Sequence, residues 1–257
     1  GIHKKKKWQH LTGLDYAHRG LYDNEHGIPE NSMAAFRRAV DKGYGIELDV
    51  HLTADQQLVV IHDESVDRTT DGKGLVRELT LAEIKELDAG SWFDEKYQAT
   101  KISTLQEVLN LLLQMRFRGV LCIEIKTNKY HYPGIEEKIS AVMTSKEWPF
   151  TYWYASFNLE SLQIMHEYEP DAQFDLIQKN DLDKYQTVLT TDYLEGLHPS
   201  YDWVKQHPEI VKNYEKAIRP WTPNLYDTLM NCFEKNLAGI ITDFPEKAIR
   251  TRSRYKQ

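Results

Sequence analysis

Short apolar runs rich in β-branched residues alternate along the chain with stretches whose apolar residues recur every three or four positions. The first pattern is typical of buried strands and the second of amphipathic helices. Eight runs are predicted as strands, at residues 14–18, 45–50, 120–126, 152–156, 172–177, 193–198, 217–222 and 238–242. Because helical segments separate them, we expect a parallel sheet with crossover helices. Eight such units favour an α/β (β/α)8 TIM barrel over a doubly wound open sheet.

Four helix starts are marked by residues that cap helices well. Ser, Thr, Asp and Asn side chains accept hydrogen bonds from the first-turn N–H groups, which have no partner inside the helix. The predicted caps are Asn31 or Ser32, Ser103, Asn158 and Asn224, each followed by an amphipathic stretch.

A ninth apolar run, residues 58–61, follows the second strand too closely for a parallel crossover. It is therefore predicted to form a hairpin with that strand, which brings His62 back over the strand's end. The long segment 63–102 then contains a capping box at Thr80 and Glu83, and we expect it to form a small inserted subdomain. The predicted organisation is an N-terminal tail at 1–13, a barrel at 14–250 containing the insert, and a C-terminal tail at 251–257.

The second strand places two carboxylates on one face. Side chains alternate along a strand, so Glu47 and Asp49 point away from Ile46, Leu48 and Val50. Because the apolar face is needed for packing against helices, we expect the carboxylates to face the barrel interior. Carboxylate oxygens are hard ligands that suit Mg²⁺ or Ca²⁺.

The third strand repeats this arrangement with Cys122, Glu124 and Lys126 on one face. Two interpretations are open for the charged pair. Glu124 and Lys126 can form a buried ion pair, which stabilises a fold weakly because both charges lose their hydration. The interpretation we favour makes Glu124 a third metal ligand and Lys126 a contact for an anion, with Cys122 packed one layer deeper.

Further polar residues end neighbouring strands at the same rim. His18 and Arg19 follow the first strand, and His62 follows the hairpin. Two imidazoles can exchange protons near neutral pH, and two cations, Arg19 and Lys126, can bind a phosphate. Together with the carboxylates, this set predicts cleavage of a phosphodiester with one divalent cation, Mg²⁺ or Ca²⁺. Lower-ranked candidates are His198, which can touch substrate or lie in a turn, and Asp243.

Composition narrows the possible partners and location. The 257 residues include 39 acidic and 32 basic residues, and the net charge of −7 predicts no general affinity for nucleic acid. Two cysteines, Cys122 and Cys232, favour a reducing compartment, so we expect a cytoplasmic protein without a transmembrane segment. The basic run at residues 4–7 leaves open the alternative of the soluble part of a membrane-anchored protein. The oligomeric state stays open.

Several ordered motifs resemble the glycerophosphodiester phosphodiesterase family, over about residues 15 to 245. They are HRG at 18–20, PEN at 29–31, ELDVHLTAD at 47–55, HD at 62–63, DRTTDGKGLV at 67–76, LDAGSWF at 87–93, EIK at 124–126, WTPN at 221–224 and GIITDFP at 239–245. Each motif is short, but the ordered set is highly specific.

This resemblance implies hydrolysis of small glycerophosphodiesters, such as glycerophosphocholine or glycerophosphoethanolamine, to an alcohol and glycerol 3-phosphate. The attacking group is water or the glycerol 2-hydroxyl. Two alternative functions are phospholipase C/D-like cleavage of intact phospholipids and non-catalytic phosphate binding. The residues that match the family's functional positions are His18 and His62 for acid/base catalysis, Glu47, Asp49 and Glu124 for the metal, Arg19 and Lys126 for phosphate, and Trp221 for the substrate wall.

Overall fold

Ten strands form one sheet in the computed structural model, which describes residues 14–18, 29–181, 183–235 and 237–256. In chain order they are β1 Leu14–His18, β2 Gly45–Leu52, β3 Leu58–Val60, β4 Ser103–Thr104, β5 Val120–Ile125, β6 Thr151–Ser156, β7 Phe174–Ile177, β8 Leu194–His198, β9 Ala217–Ile218 and β10 Gly239–Thr242. Eight run parallel in the order β10-β1-β2-β5-β6-β7-β8-β9. Ala238 donates its N–H to the Ile218 carbonyl at 3.2 Å, which joins the two ends and closes the predicted (β/α)8 barrel.

The helices connect successive strands around the barrel. Within the described residues they are α1 Met33–Lys42, α2 Leu81–Lys85, α3 Leu105–Gln114, α4 Ile135–Met143, α5 Leu159–Tyr168, α6 Lys184–Thr190, α7 Tyr201–Gln206, α8 Pro208–Lys212, α9 Tyr226–Glu234 and α10 Pro245–Lys256. Two predicted caps are confirmed, because the side chains of Ser32 and Asn158 accept hydrogen bonds from first-turn N–H groups of α1 and α5. None of the helices in these ranges is long and apolar enough to cross a bilayer.

Two helix starts and two segment ends differ from the predictions. Helix α3 is capped by Thr104 and not by the preceding Ser103, and Thr104 forms a capping box with Glu107. Asn224 does not cap α9, since its side-chain oxygen accepts from the backbone N–H of Asp243 at 3.1 Å. Strand β9 is shorter than predicted because Pro220 has no N–H to donate to a ladder. Helix α10 continues through residue 256, so 251–256, predicted as part of a C-terminal tail, are helical.

The predicted hairpin is confirmed. Strand β3 pairs antiparallel with β2, with Val60 opposite Val50, and on its other side it pairs with β4. The residues after β3 contribute to a separate apolar cluster that includes Val59, Val76 and Ile84, and the Thr80 capping box is present. The bounds of the insert at 63–102 remain a prediction. Residues 1–13, predicted as a tail, lie outside the described residues.

The main core lies between the sheet and the helices. Ile46, Leu48 and Val50 are fully buried and pack in this outer layer with side chains from the helices. Burying one such aliphatic side chain contributes about 1.5–3 kcal/mol, which strongly disfavours a one-residue slip in register. The same register turns the alternate residues of β2 towards the barrel interior.

Candidate active site

A cavity of about 360 Å³ is lined by residues at the ends of the parallel strands. One part of its wall carries charged side chains and another is largely apolar. Catalytic groups in (β/α)8 barrels cluster at this carboxyl-end face. The lining residues that matter below are Glu47, His62, Glu124, Lys126, Phe157, Ile177, His198 and Trp221.

Three buried carboxylates meet at this end of the barrel. Glu47, Asp49 and Glu124 each offer an oxygen, and these oxygens all lie within 4.8 Å of one another. Asp49 and Glu124 are direct partners in the register of β2 and β5. The three residues are 4%, 0% and 8% exposed respectively. Three hard oxygen donors at this spacing fit a divalent cation such as Mg²⁺ or Ca²⁺.

The electrostatics of this acid cluster also suit a cation. Burial raises the pKa of Glu47 well above its ordinary value, and the charges of Asp49 and Glu124 raise it further. Burial likewise raises the pKa of Glu124, although Lys126 opposes this effect. Each ionised carboxylate therefore destabilises the others in a poorly hydrated site. A bound cation would reverse this penalty.

Lys126 lies between the acid cluster and His62. Its Nζ is 3.0 Å from Glu124 Oε2 and 3.5 Å from His62 Nε2. Burial alone would lower the pKa of Lys126, but the charges of Glu124 and Asp49 raise it above its ordinary value. The ammonium therefore stays charged. The Glu124–Lys126 ion pair considered from the sequence forms, and Glu124 belongs to the acid cluster as well.

His62 is held in one ring orientation by a chain of charged groups. Its Nδ1 lies 2.8 Å from Asp63 Oδ1, and Arg68 Nε donates to Asp63 Oδ2 at 2.8 Å. Arg68 also makes two hydrogen bonds to Glu30. Burial favours the neutral form of Asp63, but hydrogen bonds from His62 and Arg68 outweigh it and lower the pKa of Asp63. Nδ1 therefore carries a proton, and Nε2 faces Lys126.

His51 supports the backbone at His62, a role that the sequence did not indicate. Burial lowers the pKa of His51 to about 4, so the ring is neutral. Its Nε2 donates to the His62 carbonyl at 3.0 Å, and its Nδ1 accepts from the Tyr132 hydroxyl at 2.8 Å. The hairpin and the loop after β5 are thereby joined beside the site.

The other side of the cavity is aromatic and aliphatic. Trp221 lines this side and donates its indole N–H to the His198 carbonyl at 3.0 Å. The Phe157 ring packs edge-to-face with Trp221 at a centroid distance of 6.2 Å. Ile177 adds aliphatic surface. This wall suits the carbon skeleton of a ligand better than its charge.

A second buried polar group was missed in the sequence. Asp175 Oδ2 accepts from His198 Nε2 at 2.8 Å and from an Arg219 nitrogen at 2.6 Å, and all three residues are at most 1% exposed. The alternation of β7, with Phe174 and Leu176 in the outer core, was the available signal for an inward Asp175.

Two predicted site residues cannot be placed by their side chains. His18 ends β1, and its Cα pairs with that of Glu47, but the description of this strand is limited to its backbone. Arg19 lies outside the described residues. The structure does bring together Glu47, Asp49, His62, Glu124 and Lys126, and it places Trp221 in the same cavity.

Comparison with known proteins identifies the family. The model of the glycerophosphoryl diester phosphodiesterase family matches residues 18–247. The chain belongs to this family. The match begins at His18 and continues past β10, so it includes every strand of the barrel except the start of β1. All the glycerophosphodiester phosphodiesterase motifs from HRG to GIITDFP lie inside it.

Relatives agree over nearly their whole length. A glycerophosphodiester phosphodiesterase of Caldanaerobacter subterraneus subsp. tengcongensis is 40% identical, covering 93% of this chain and 97% of its own. One from Bacillus altitudinis is 37% identical, covering 94% and 98%. Among solved structures, an Oleispira antarctica phosphodiesterase in complex with its product sn-glycerol-3-phosphate superposes with a TM-score of 0.82 at 28% identity, covering 96% of this chain and 99% of its own.

Proposed function

We propose that the chain is a metal-dependent glycerophosphodiester phosphodiesterase that hydrolyses compounds such as glycerophosphocholine to an alcohol and glycerol 3-phosphate. The observation that carries the proposal is the buried acid cluster in one cavity with Lys126 and His62. The relatives that carry this name, and the Oleispira antarctica structure with its product, support the same substrate class.

The acid cluster is the proposed metal site. Glu47, Asp49 and Glu124 would hold one Mg²⁺ or Ca²⁺, with further ligands from water or substrate. The chemistry supplied by such a cation is neutralisation of charge on the phosphoryl oxygens. Lys126 shares this task through its ammonium, whose pKa the neighbouring carboxylates raise, and we assign Arg19 to the same anion. Preorganised charge of this kind is commonly the largest contribution to catalysis.

The proton transfers are assigned to His62 and His18. Because Asp63 fixes the proton of His62 on Nδ1, Nε2 is available to accept a proton from the attacking hydroxyl. His18 then protonates the departing alkoxide. The O–P bond to the alcohol breaks as the new O–P bond forms, so the attacking group ends on phosphorus. Water gives glycerol 3-phosphate directly, and the glycerol 2-hydroxyl gives a cyclic phosphate that water opens.

The central experiment measures glycerol 3-phosphate release from glycerophosphocholine and glycerophosphoethanolamine, and release of choline or phosphocholine from phosphatidylcholine vesicles. We expect turnover of the small diesters, loss with EDTA, and recovery with Mg²⁺ or Ca²⁺. Activity on vesicles alone would instead favour the phospholipase alternative. Tight binding without turnover under either metal would favour a phosphate-binding protein. A cytoplasmic location remains a prediction.

A second experiment tests the two-histidine assignment. His18→Ala and His62→Ala are each expected to lower kcat by about 10²- to 10⁴-fold, the contribution typical of one acid or base. His131→Ala is the matched control, because His131 is exposed. Wild-type turnover in either variant would remove that histidine from the mechanism.

A further inference from the structure

The two ring nitrogens of His198 differ in their hydrogen bonding to the described residues. Its Nε2 is bound to Asp175, while no residue in the described part of the chain hydrogen-bonds Nδ1. The residue lines the cavity and is 1% exposed. Beneath it, a Cβ at Gly196 would lie 2.8 Å from both Arg219 and Asp175, so the small residue leaves space for this ion pair.

The hydrogen bonds of Asp175 decide the chemistry of Nδ1. Interactions with Arg219 and His198 outweigh the effect of burial and lower the pKa of Asp175, so its carboxylate is ionised and accepts hydrogen bonds. Nε2 of His198 must therefore carry a proton. Burial lowers the pKa of His198, which keeps the ring neutral. Nδ1 is then an acceptor, suited to a hydroxyl and not to a phosphate oxygen.

His198 lies away from the residues proposed to bind the metal and the phosphate. In the closed barrel β8 is four strands from β2 in either direction, so His198 lies across the cavity from the strand that carries Glu47 and Asp49. His62, at the charged wall, is 28% exposed, whereas His198 is enclosed. The glycerol group is common to all substrates of this class, and the alcohol varies. The enclosed side of the cavity at His198 therefore suits the glycerol group, which is the same in every substrate.

We propose that His198 is a specificity-determining residue whose Nδ1 accepts a hydrogen bond from a glycerol hydroxyl of the substrate. This inference rests on the proposed function and adds to it a recognition element on the wall opposite the acid cluster. Asp175 and Arg219 act as positioning residues, because they fix the ring and its tautomer. Trp221 and Ile177 provide apolar contacts for the glycerol carbons beside it.

The test compares glycerophosphocholine with its two deoxy analogues, in which the glycerol is replaced by propane-1,2-diol or propane-1,3-diol. Choline has no hydroxyl, so any preference reports on the glycerol. Wild-type kcat/KM should fall by about 10- to 100-fold for one analogue, since a buried acceptor is left unsatisfied. A preference only for hydroxyls on the alcohol group, measured with ethylene glycol against ethyl diesters, would overturn the glycerol assignment.

Variants then locate the acceptor. His198→Gln keeps a donor for Asp175 but removes the Nδ1 position, and His198→Phe keeps the ring volume. In both variants the ratio of kcat/KM for glycerophosphocholine to kcat/KM for the disfavoured deoxy analogue should fall to near one. A purely structural role would instead lower kcat/KM equally for both substrates. His198→Asn, whose amide oxygen can occupy the Nδ1 position, should retain more of the preference than His198→Gln.

The outcomes separate the two proposals. If the wild-type protein cleaves no glycerophosphodiester, the proposed function fails. If the wild type cleaves glycerophosphocholine and either folded variant, Gln or Phe, keeps the full preference, the role of His198 is wrong while the function stands.

Discussion

Two buried acidic groups lie inside the same barrel and behave in opposite ways. The pKa of Glu47 in the acid cluster is raised well above its ordinary value, and the pKa of Asp175 is lowered. Both residues are at most 4% exposed. Burial raises the pKa in both places, so burial does not explain the difference.

The difference comes from the neighbouring charges. Asp175 lies 2.6 Å from an Arg219 nitrogen and 2.8 Å from His198, so its charge is compensated within the protein. Glu47 has Asp49 and Glu124 beside it, and their like charges add to the cost of burial. The first arrangement is typical of a structural ion pair, and the second of a site that binds a cation. Four changes test this contrast.

The largest effect is expected on turnover. Asp49→Asn keeps the shape of the side chain but removes the negative charge of a proposed metal ligand. We expect kcat to fall by about 10³-fold, which is comparable to the loss of one electrostatic contact to the transition state. The assay is glycerol 3-phosphate release at saturating Mg²⁺ or Ca²⁺. Asp171→Asn, at an exposed position, is the control. Full activity in Asp49→Asn would remove the acid cluster from catalysis.

The next largest effect is a loss of stability when Asp175 is changed. Asp175→Asn removes the carboxylate charge from the buried ion pair with Arg219, and breaking such a pair costs about 3–5 kcal/mol of unfolding free energy. Asp49→Asn, measured without metal, should cost nothing or stabilise because it removes a repulsive charge. Urea unfolding in EDTA measures both. An equal loss of unfolding free energy in the two variants would contradict the proposed difference between a structural ion pair and a cation site.

Metal addition should stabilise the protein through the acid cluster. A ligand at 100 times its Kd adds about 2.7 kcal/mol to the unfolding free energy of the state that binds it. Thermal unfolding with and without Mg²⁺ or Ca²⁺ should therefore show a rise in Tm for the wild type and for Asp171→Asn, and none for Asp49→Asn. A metal-dependent rise that survives in Asp49→Asn would place the cation elsewhere.

The smallest effect is a pH dependence of opposite sign in the two regions. The folded-state pKa of Glu47 lies above its ordinary value of 4.5, so metal-free stability should fall as pH rises above 4.5, by ~1.4 kcal/mol per unit of pKa difference. Asp175, whose pKa is lowered from 3.8, stabilises the fold above that pH and loses its contribution as pH falls through the folded value.

Urea unfolding of the EDTA-treated protein across pH checks this sign. Glu47→Gln should flatten the decline above pH 4.5 and leave the acid limb below 3.8 in place. A decline above pH 4.5 that is unchanged in Glu47→Gln would contradict the assignment.

The acid cluster was predictable from the sequence because it depends on strand alternation alone. The apolar residues of β2 had to face the helices, which turned Glu47 and Asp49 inward, and β5 repeated the pattern with Glu124. The hairpin followed from a connection too short for a crossover. Local sequence determines each of these features.

The second acidic group depends on contacts that no local pattern contains. Asp175 and Arg219 are 44 positions apart, and their pairing requires knowledge of which inward residues share a layer of the closed barrel. The cap of α3 is Thr104 and not the neighbouring Ser103, although both side chains are suitable helix caps and both residues pair with β3. Local propensity therefore determines neither the Asp175–Arg219 contact nor the choice of cap for α3.

The pairing of β3 with β4 also bears on how the family can vary. Val60 pairs with Ser103, so the chain leaves the barrel and returns to it at adjacent positions, roughly the 4.8 Å spacing of neighbouring strands. Segments whose ends meet in this way can be lengthened, shortened or exchanged at small entropic cost. The stretch between Arg68 and Ile102 is thus a segment that evolution, or a chimeric protein, can exchange while the His62 anchor and the barrel stay unchanged.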